Sequence, residues 1–536
     1  MPAAENKDGV LPVETTAYET LTKLSAGELA QMIASGNISS LEAVEAHIER
    51  IERVNPALNA VVVKRYDAAR AEAKQADARR ASGETLGPLH GVPITIKESL
   101  DLAGTPSTFG LPSRAGHKAE QDDLYVARIR KAGAIILGKT NVSQLLLYFE
   151  SDNPVYGRTN NPWNLARTPG GSSGGQGALI AAGASPLGLG TDLGGSLRIP
   201  ATFCGIASLK PTSGRTPDAG RYSIPIGQRA VVSQVGVLAR TVADVALGIK
   251  IINGGRNPNT EPPMPLGDVK AVDISQLRVA YYTEDGTFQT APAVRRAVLE
   301  AAGVLRSCGA RVTAWSPPDV NQAADLFFGI LSADGARGFK HALGRDKRDP
   351  RIASLEFMGG RSRPTLAALG GLFKLAGQPG LAASIRAFGH RDTYHYWQLV
   401  EAQMEYQRRF LAALDESDGG PFDVILCPGC ALPALTHGAS RDVLTTGGYT
   451  ILYNVLGYPA GIVPFTRVRS GEEVGRAPSR DTVEKTARKV EMGSAGLPVG
   501  VQVVARPWRE HVALAAMRAI EEVASTREDY PGIAPM

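Results

Sequence analysis

Cysteine is scarce, with four residues (Cys204, Cys308, Cys427 and Cys430) in a chain of 536. That is too few for a disulfide scaffold of this size and points to a reducing compartment. Long apolar runs are missing too, and no stretch approaches the roughly 18–20 residues of a membrane span. Residues 1–20 are polar and carry Glu5, Asp8 and Glu14, without the basic start and apolar run of a secretory signal. Excess charge is also absent. A net charge of +5 over this length, with no basic run interleaved with aromatics, excludes nucleic acid as an expected partner. These absences predict a soluble, cytoplasmic protein with no integral membrane span, leaving peripheral membrane contact and a homodimer open.

What is present is ordinary for a globular chain: 43% hydrophobic and 21% charged residues, enough for a sizeable core. The 59 glycines and 35 prolines suit a fold with many tight turns. Ser25 with Glu28 and Ser39 with Glu42 fit capping boxes, in which serine and glutamate satisfy each other's free backbone donors. The second box opens a helix with Leu41, Val44, Ile48 and Ile51 on one face, expected to stop at Asn55-Pro56 because a residue before proline avoids helical backbone. From residue 86 to about 217, short apolar runs (VPITI from Val92, AIIL from Ala134, ALIAA from Ala178) alternate with glycine-rich turns. Such spacing predicts an α/β fold, with a mixed, twisted sheet buried under helices on both faces. Further strands are expected at residues 277–282, 422–426 and 496–504, and a C-terminal helix from about Glu510. Residues 467–489 read as an exposed loop with a charged helical piece. The organisation expected is an N-terminal helical segment (1–85), a core (86–272), a mostly helical cap (273–420) and a C-terminal part completing the sheet (421–536).

Four stretches could carry chemistry. Cys427-Pro-Gly-Cys430 has the spacing of a zinc half-site, but no second pair exists and structural zinc needs four ligands. Residues 133–140 (GAIILGKT) match a phosphate loop letter for letter. Their apolar variable positions belong in a buried strand, whereas a phosphate loop needs exposed amides. Residues 171–175 (GSSGG) fit a nucleophile elbow centred on Ser173, with His437 or His511 downstream as base. An elbow requires an apolar strand just before it, and the proline-bounded loop 160–169 stands there instead. The fourth stretch, residues 168–201 (TPGGSSGGQGALIAAGASPLGLGTDLGGSLRIPA), sets Ser172/Ser173 and Ser196 on either side of one helix-length segment. Gly194 and Gly195 leave backbone N–H groups bare beside Ser196, as a developing oxyanion needs. Activating a serine takes a base. A lysine serves only when neutral, so its ordinary value of about 10.4 must fall towards 7–8, as burial can make it do. Lys97, flanked by Ile94, Ile96 and Leu100, suits that setting, and Lys139 and Lys210 remain rivals.

GVPITIKES around Lys97, TPGGSSGG around Ser172, GTDLGGSLRIPA around Ser196, SLKPTSGR from Ser208, GYPAGIVP from Gly457 and GLPVGVQVV from Gly496 together resemble the amidase signature family, closest in flavour to its fatty acid amide hydrolase branch. The resemblance implies a single large amidase-signature fold and an enzyme that hydrolyses amide C–N bonds. It implies Ser196 as the acylated nucleophile, Ser172 as a relay held by a cis peptide bond, and Lys97 as the base. Leu193, Gly194, Gly195 and Ser196 would then supply the oxyanion hole. Leu146, Leu147, Phe149 and Ser173 are the candidate substrate-binding residues, and the region 326–388 is expected to complete the pocket. Residues 365–388 are apolar apart from Lys374 and Arg386, and could be an access cap, a membrane contact or a packing surface. The expected partner is a small-molecule amide with an aryl, fatty or other apolar acyl group, with carbamates and esters open. No metal and no cofactor are expected. The alternatives are a glutaminase-type component of an amidotransferase, a His-dependent esterase using Ser173, and a catalytically silent scaffold.

Overall fold

The computed structural model describes residues 17–217, 227–253 and 264–536; residues 1–16, where most of the signal-peptide reading falls, lie outside them. In chain order the strands are β1 (Val61–Lys64), β2 (Pro93–Lys97), β3 (Ile135–Thr140), β4 (Asp152–Asn153), β5 (Gly157–Arg158), β6 (Leu187–Asp192), β7 (Ala207–Lys210), β8 (Gln234–Ala239), β9 (Arg278–Tyr281), β10 (Arg311–Ala314), β11 (Val424–Pro428), β12 (Ala460–Arg467) and β13 (Pro498–Ala505). β4 and β5 pair as a small ribbon, and the other 11 form one sheet in the order β1-β3-β2-β6-β8-β7-β12-β13-β11-β9-β10. The sheet is mixed, as expected. β3, β2 and β6 run parallel to one another, as do β11, β9 and β10, and the strands between are antiparallel.

The central strands are buried along their whole length, which is why they are mostly apolar or glycine instead of alternating with exposed polar residues. The run from Ala178 to Ala182, grouped with the strand-like runs in the sequence, belongs instead to a helix, Gly174–Ala181, ending at its cap. All eight of its helical residues are buried. A helix buried all round loses the 3.6-residue polar rhythm that would have distinguished it from a strand.

Both capping boxes form, at Ser25/Glu28 and Ser39/Glu42. The second helix does not stop at Asn55-Pro56 but runs Ser40–Leu58. The Asn55 side chain accepts the N–H groups of Ala60 and Val61 at 2.8 Å each. Asn59, in left-handed backbone, donates its N–H to the Asn55 carbonyl. Pro56 is thus accommodated in the final turn. The stretch 467–489 includes a short turn at Glu472–Val474 and begins a helix, Thr482–Glu491. Within this largely exposed stretch Arg476 is buried, pairing at 3.0 Å with Glu491 just beyond it.

His47 lies on the Ser40–Leu58 helix, fully buried, with Nδ1 2.8 Å from the Ala43 carbonyl. Burial pushes its imidazole down to about 4; the carbonyl contact opposes this and Arg240 adds to it. An unfolded chain protonates the same ring near 6.5. His47 therefore contributes no penalty above that pH, and stability falls as pH drops from 6.5 towards 4. Urea unfolding of the wild type between pH 7 and 4.5 is expected to lose about 2–3 kcal/mol more than that of His47→Gln. Equal losses in the two proteins would refute this.

Candidate active site

Lys97, the last residue of β2, is fully buried. Its Nζ lies 2.7 Å from Ser172 Oγ and 2.8 Å from Thr191 Oγ1, the latter on the neighbouring strand β6. Ser172 belongs to a strap, residues 168–173, that leads into the Gly174–Ala181 helix, and its Gly171–Ser172 peptide is cis. A Cβ at Gly171 would fall 2.7 Å from Glu150 N and 2.9 Å from Tyr148 O, so only glycine lets the strap lie this close to residues 148–150. Ser151 fastens the strap, donating from Oγ to the Gly170 carbonyl and accepting the Gly174 N–H at 2.9 Å. The strap meets the loop after β6 through the Ser173 N–H, which donates to the Ser196 carbonyl.

The rival lysines are buried as well but are bonded elsewhere. Burial pushes the Lys139 ammonium down to about 8, against the opposing pull of Glu98 and Asp101. Its Nζ holds the Pro106 carbonyl and Ser107 Oγ. Burial, helped by Arg198, pushes Lys210 to about 7, and its Nζ donates to the Pro211 carbonyl. Neither lysine bonds to Ser172, Ser173 or Ser196.

The loop carrying Ser196 is gripped by a buried ion pair that the sequence reading missed. Arg198 donates to both carboxylate oxygens of Asp192, at 3.0 and 2.9 Å. Asp192 also accepts the N–H groups of Gly195 (2.8 Å) and Leu197 (3.1 Å) and the amide of Asn454. Arg198 reaches on to Gln502 and the Thr450 carbonyl, tying the loop to β13 and to the helix Gly448–Val455. Burial alone would raise the Asp192 carboxyl, but Arg198 outweighs it and holds the group well below the usual carboxylate range. Of the four expected oxyanion amides, that of Gly195 is already donated to Asp192. Those of Leu193, Gly194 and Ser196 have no protein acceptor among the described residues. Gly195 has φ 125°, and a Cβ there would lie 2.4 Å from Thr450 Oγ1, so glycine is required.

Ser196 lies on the wall of a cavity of about 160 Å³, beside Leu193 and Gly194. The expected Leu146, Leu147 and Phe149 line it, with Tyr148 between them. Phe327, Phe328, Leu331, Phe339 and Phe388 come from the region 326–388, and Leu444 and Ile451 from farther along the chain. Ser173 does not line the cavity. It is fully buried, with Oγ 3.5 Å from the Thr191 carbonyl. No histidine lines it either: His437 contacts the Leu165 carbonyl, and His511 packs beside Gly267. The GAIILGKT run supplies β3, buried throughout, and offers no phosphate loop. Cys427 is in β11 and Cys430 in the turn after it, both buried free thiols.

Lys97, Ser172 and Thr191 thus meet at the ends of β2 and β6, one loop away from a serine facing an apolar cavity, and residues 42–514 match the family profile for amidases. The chain belongs to the amidase family and is an amide-hydrolysing enzyme. It is 34% identical to fatty-acid amide hydrolase 1 of Sus scrofa over 94% of this chain and 86% of that protein. It is 33% identical to indoleacetamide hydrolase of Bradyrhizobium diazoefficiens, over 93% of this chain and 86% of that one. A solved fatty acid amide hydrolase superposes with a TM-score of 0.83 at 26% identity, covering 96% of this chain and 87% of the other. Among the described residues no helix is long and apolar enough to cross a membrane.

Proposed function

We propose that this enzyme hydrolyses amides with an extended apolar acyl group, through an acyl-enzyme on Ser196. The observation that carries the reading is the 2.7 Å contact between Lys97 Nζ and Ser172 Oγ, made behind a serine that faces an apolar cavity. Ser196 Oγ attacks the carbonyl carbon while its proton passes through Ser172 to neutral Lys97. The oxyanion meets the N–H groups of Leu193, Gly194 and Ser196, which no protein group occupies among the described residues. Ser172 then gives a proton to the leaving nitrogen and is resupplied by Lys97, and the C–N bond breaks. Water attacks the ester carbonyl, its proton returns through the same relay, and the carboxylic acid leaves.

The cavity favours an apolar acyl chain over glutamine. Its two carboxylates are both engaged: Asp334 accepts the N–H groups of Ala336 and Gly338, and Glu356 pairs with Arg348 and Lys340. Neither is free to bind an α-ammonium group. The name of the 34% identical relative, a fatty-acid amide hydrolase, agrees with this preference. The four free cysteines support a reducing, cytoplasmic setting.

A fluorophosphonate probe followed by peptide mapping tests the assignment. Modification at Ser196 is expected. Modification at Ser173 would transfer the reading to a His-dependent esterase, and an unmodified protein would indicate a silent scaffold.

A further inference from the structure

One wall of the cavity has an unusual backbone. Leu145, Leu146 and Tyr148 adopt φ of 55°, 59° and 71°, left-handed values that are costly for side chains of this size. Such a segment persists only if its surroundings hold it. The Phe109 carbonyl accepts the Leu145 N–H at 2.8 Å, and residues 347–354 supply a second set of holders. Gln144 donates to the Lys347 carbonyl at 2.9 Å and accepts the Asp349 N–H at 2.8 Å. The Tyr148 hydroxyl pairs with Ser354 Oγ at 2.7 Å. Arg351 reaches Glu150 and Asp152 at 2.9 Å each and also holds Asp349. Glu150 is bound in turn by the Gly438 and Ser440 N–H groups and by Ser440 Oγ.

The helix bearing Arg351, Pro350–Gly359, gives Leu355, Glu356 and Gly359 to the same cavity. The guanidinium therefore ties two lining segments together from outside, since Arg351, Glu150 and Ser354 do not line the cavity. A planar fork with several donors can hold carboxylates from two segments at once, which a lysine cannot reproduce. We propose that Arg351 is a specificity-determining positioning residue, which sets the bore of the acyl cavity by fixing residues 145–149 against the Pro350–Gly359 helix and so sets the preference for long over short acyl groups. This rests on the acyl-cavity reading above.

The test uses the full chain and a series of acetyl, hexanoyl and decanoyl 4-nitroanilides. Arg351→Ala is expected to lower kcat/KM for the decanoyl anilide about tenfold, through KM, while kcat for the acetyl anilide stays within about twofold. Arg351→Lys should recover only part of the loss. Ser354→Ala, which removes one hydroxyl from a half-buried position, should shift the decanoyl-to-acetyl ratio about threefold in the same direction, and it alone decides if Arg351→Ala does not fold. Equal losses on both substrates, or an unchanged ratio in the folded variants, would overturn the inference while the acyl-cavity reading stands. A wild-type enzyme inert to the whole series would overturn that reading and the inference with it.

Discussion

Ser196→Ala is expected to lower kcat/KM on a long-chain anilide by about 10⁴-fold or more, the scale on which removing a nucleophile acts in serine hydrolases. The melting temperature should barely move, because the Ser196 hydroxyl makes no hydrogen bond to the described residues and the side chain is only partly buried. Lys97→Ala is the companion experiment. Loss of a general base costs about 10²–10⁴-fold, so its turnover should also collapse. The two variants differ in the probe experiment. Without Ser196 no acyl-enzyme forms, whereas without Lys97 the nucleophile remains and is modified slowly. Near-normal amidase activity in either variant would sink the proposed roles.

The second large effect is expected at Asp192, a residue with no reacting atom. Asp192→Asn removes the negative charge opposite Arg198 in a site where both side chains are fully buried. Breaking such a pair by neutralising one partner typically costs about 3–5 kcal/mol, because the other charge is left buried and unpaired. The same carboxylate holds the Gly195 and Leu197 amides on either side of Ser196, so kcat should fall along with stability. The pH dependence has a definite sign. The folded carboxyl is held below its unfolded value, so its contribution is complete above pH of about 4 and is lost only as pH falls further. Urea unfolding at pH 7 should therefore separate wild type from Asp192→Asn widely, and the gap should narrow in acid below the unfolded carboxyl value. A variant that unfolds with the wild type at pH 7 would show that the ion pair does not grip the loop.

Local rules made much of the fold legible before any coordinates. The capping boxes at Ser25 and Ser39 depend on contacts three residues apart, and both form. The β2 and β3 strands could be read because each is buried on both faces and so opens on an apolar run without polar alternation, ending in a buried lysine or threonine. The same reading grouped residues 178–182 with strands, since complete burial erases the difference between a helix and a strand. The Pro56 boundary went wrong for a related reason. A side chain at Asn55 and a left-handed residue at Asn59 let the helix close two residues beyond the proline.

The serine-rich stretch is where the division is clearest. Sequence by itself singled out residues 168–201 as a candidate serine cluster with glycines beside Ser196, and left both a buried lysine and a histidine open as its base. It left Ser172 and Ser173 equivalent, and Lys97 and Lys139 on the same footing, except through family resemblance. Tertiary structure separated each pair. Lys97 and Lys139 lie at the ends of adjacent parallel strands, yet one side chain reaches Ser172 and Thr191 while the other reaches Pro106 and Ser107. The Asp192–Arg198 pair joins residues only six apart, but its links to Asn454 and Gln502, like the Arg351 tie, emerge only when distant segments meet. A hydrogen bond between residues 75 or 201 positions apart leaves no periodic trace in a chain, and it exists only once the fold has brought the two segments together.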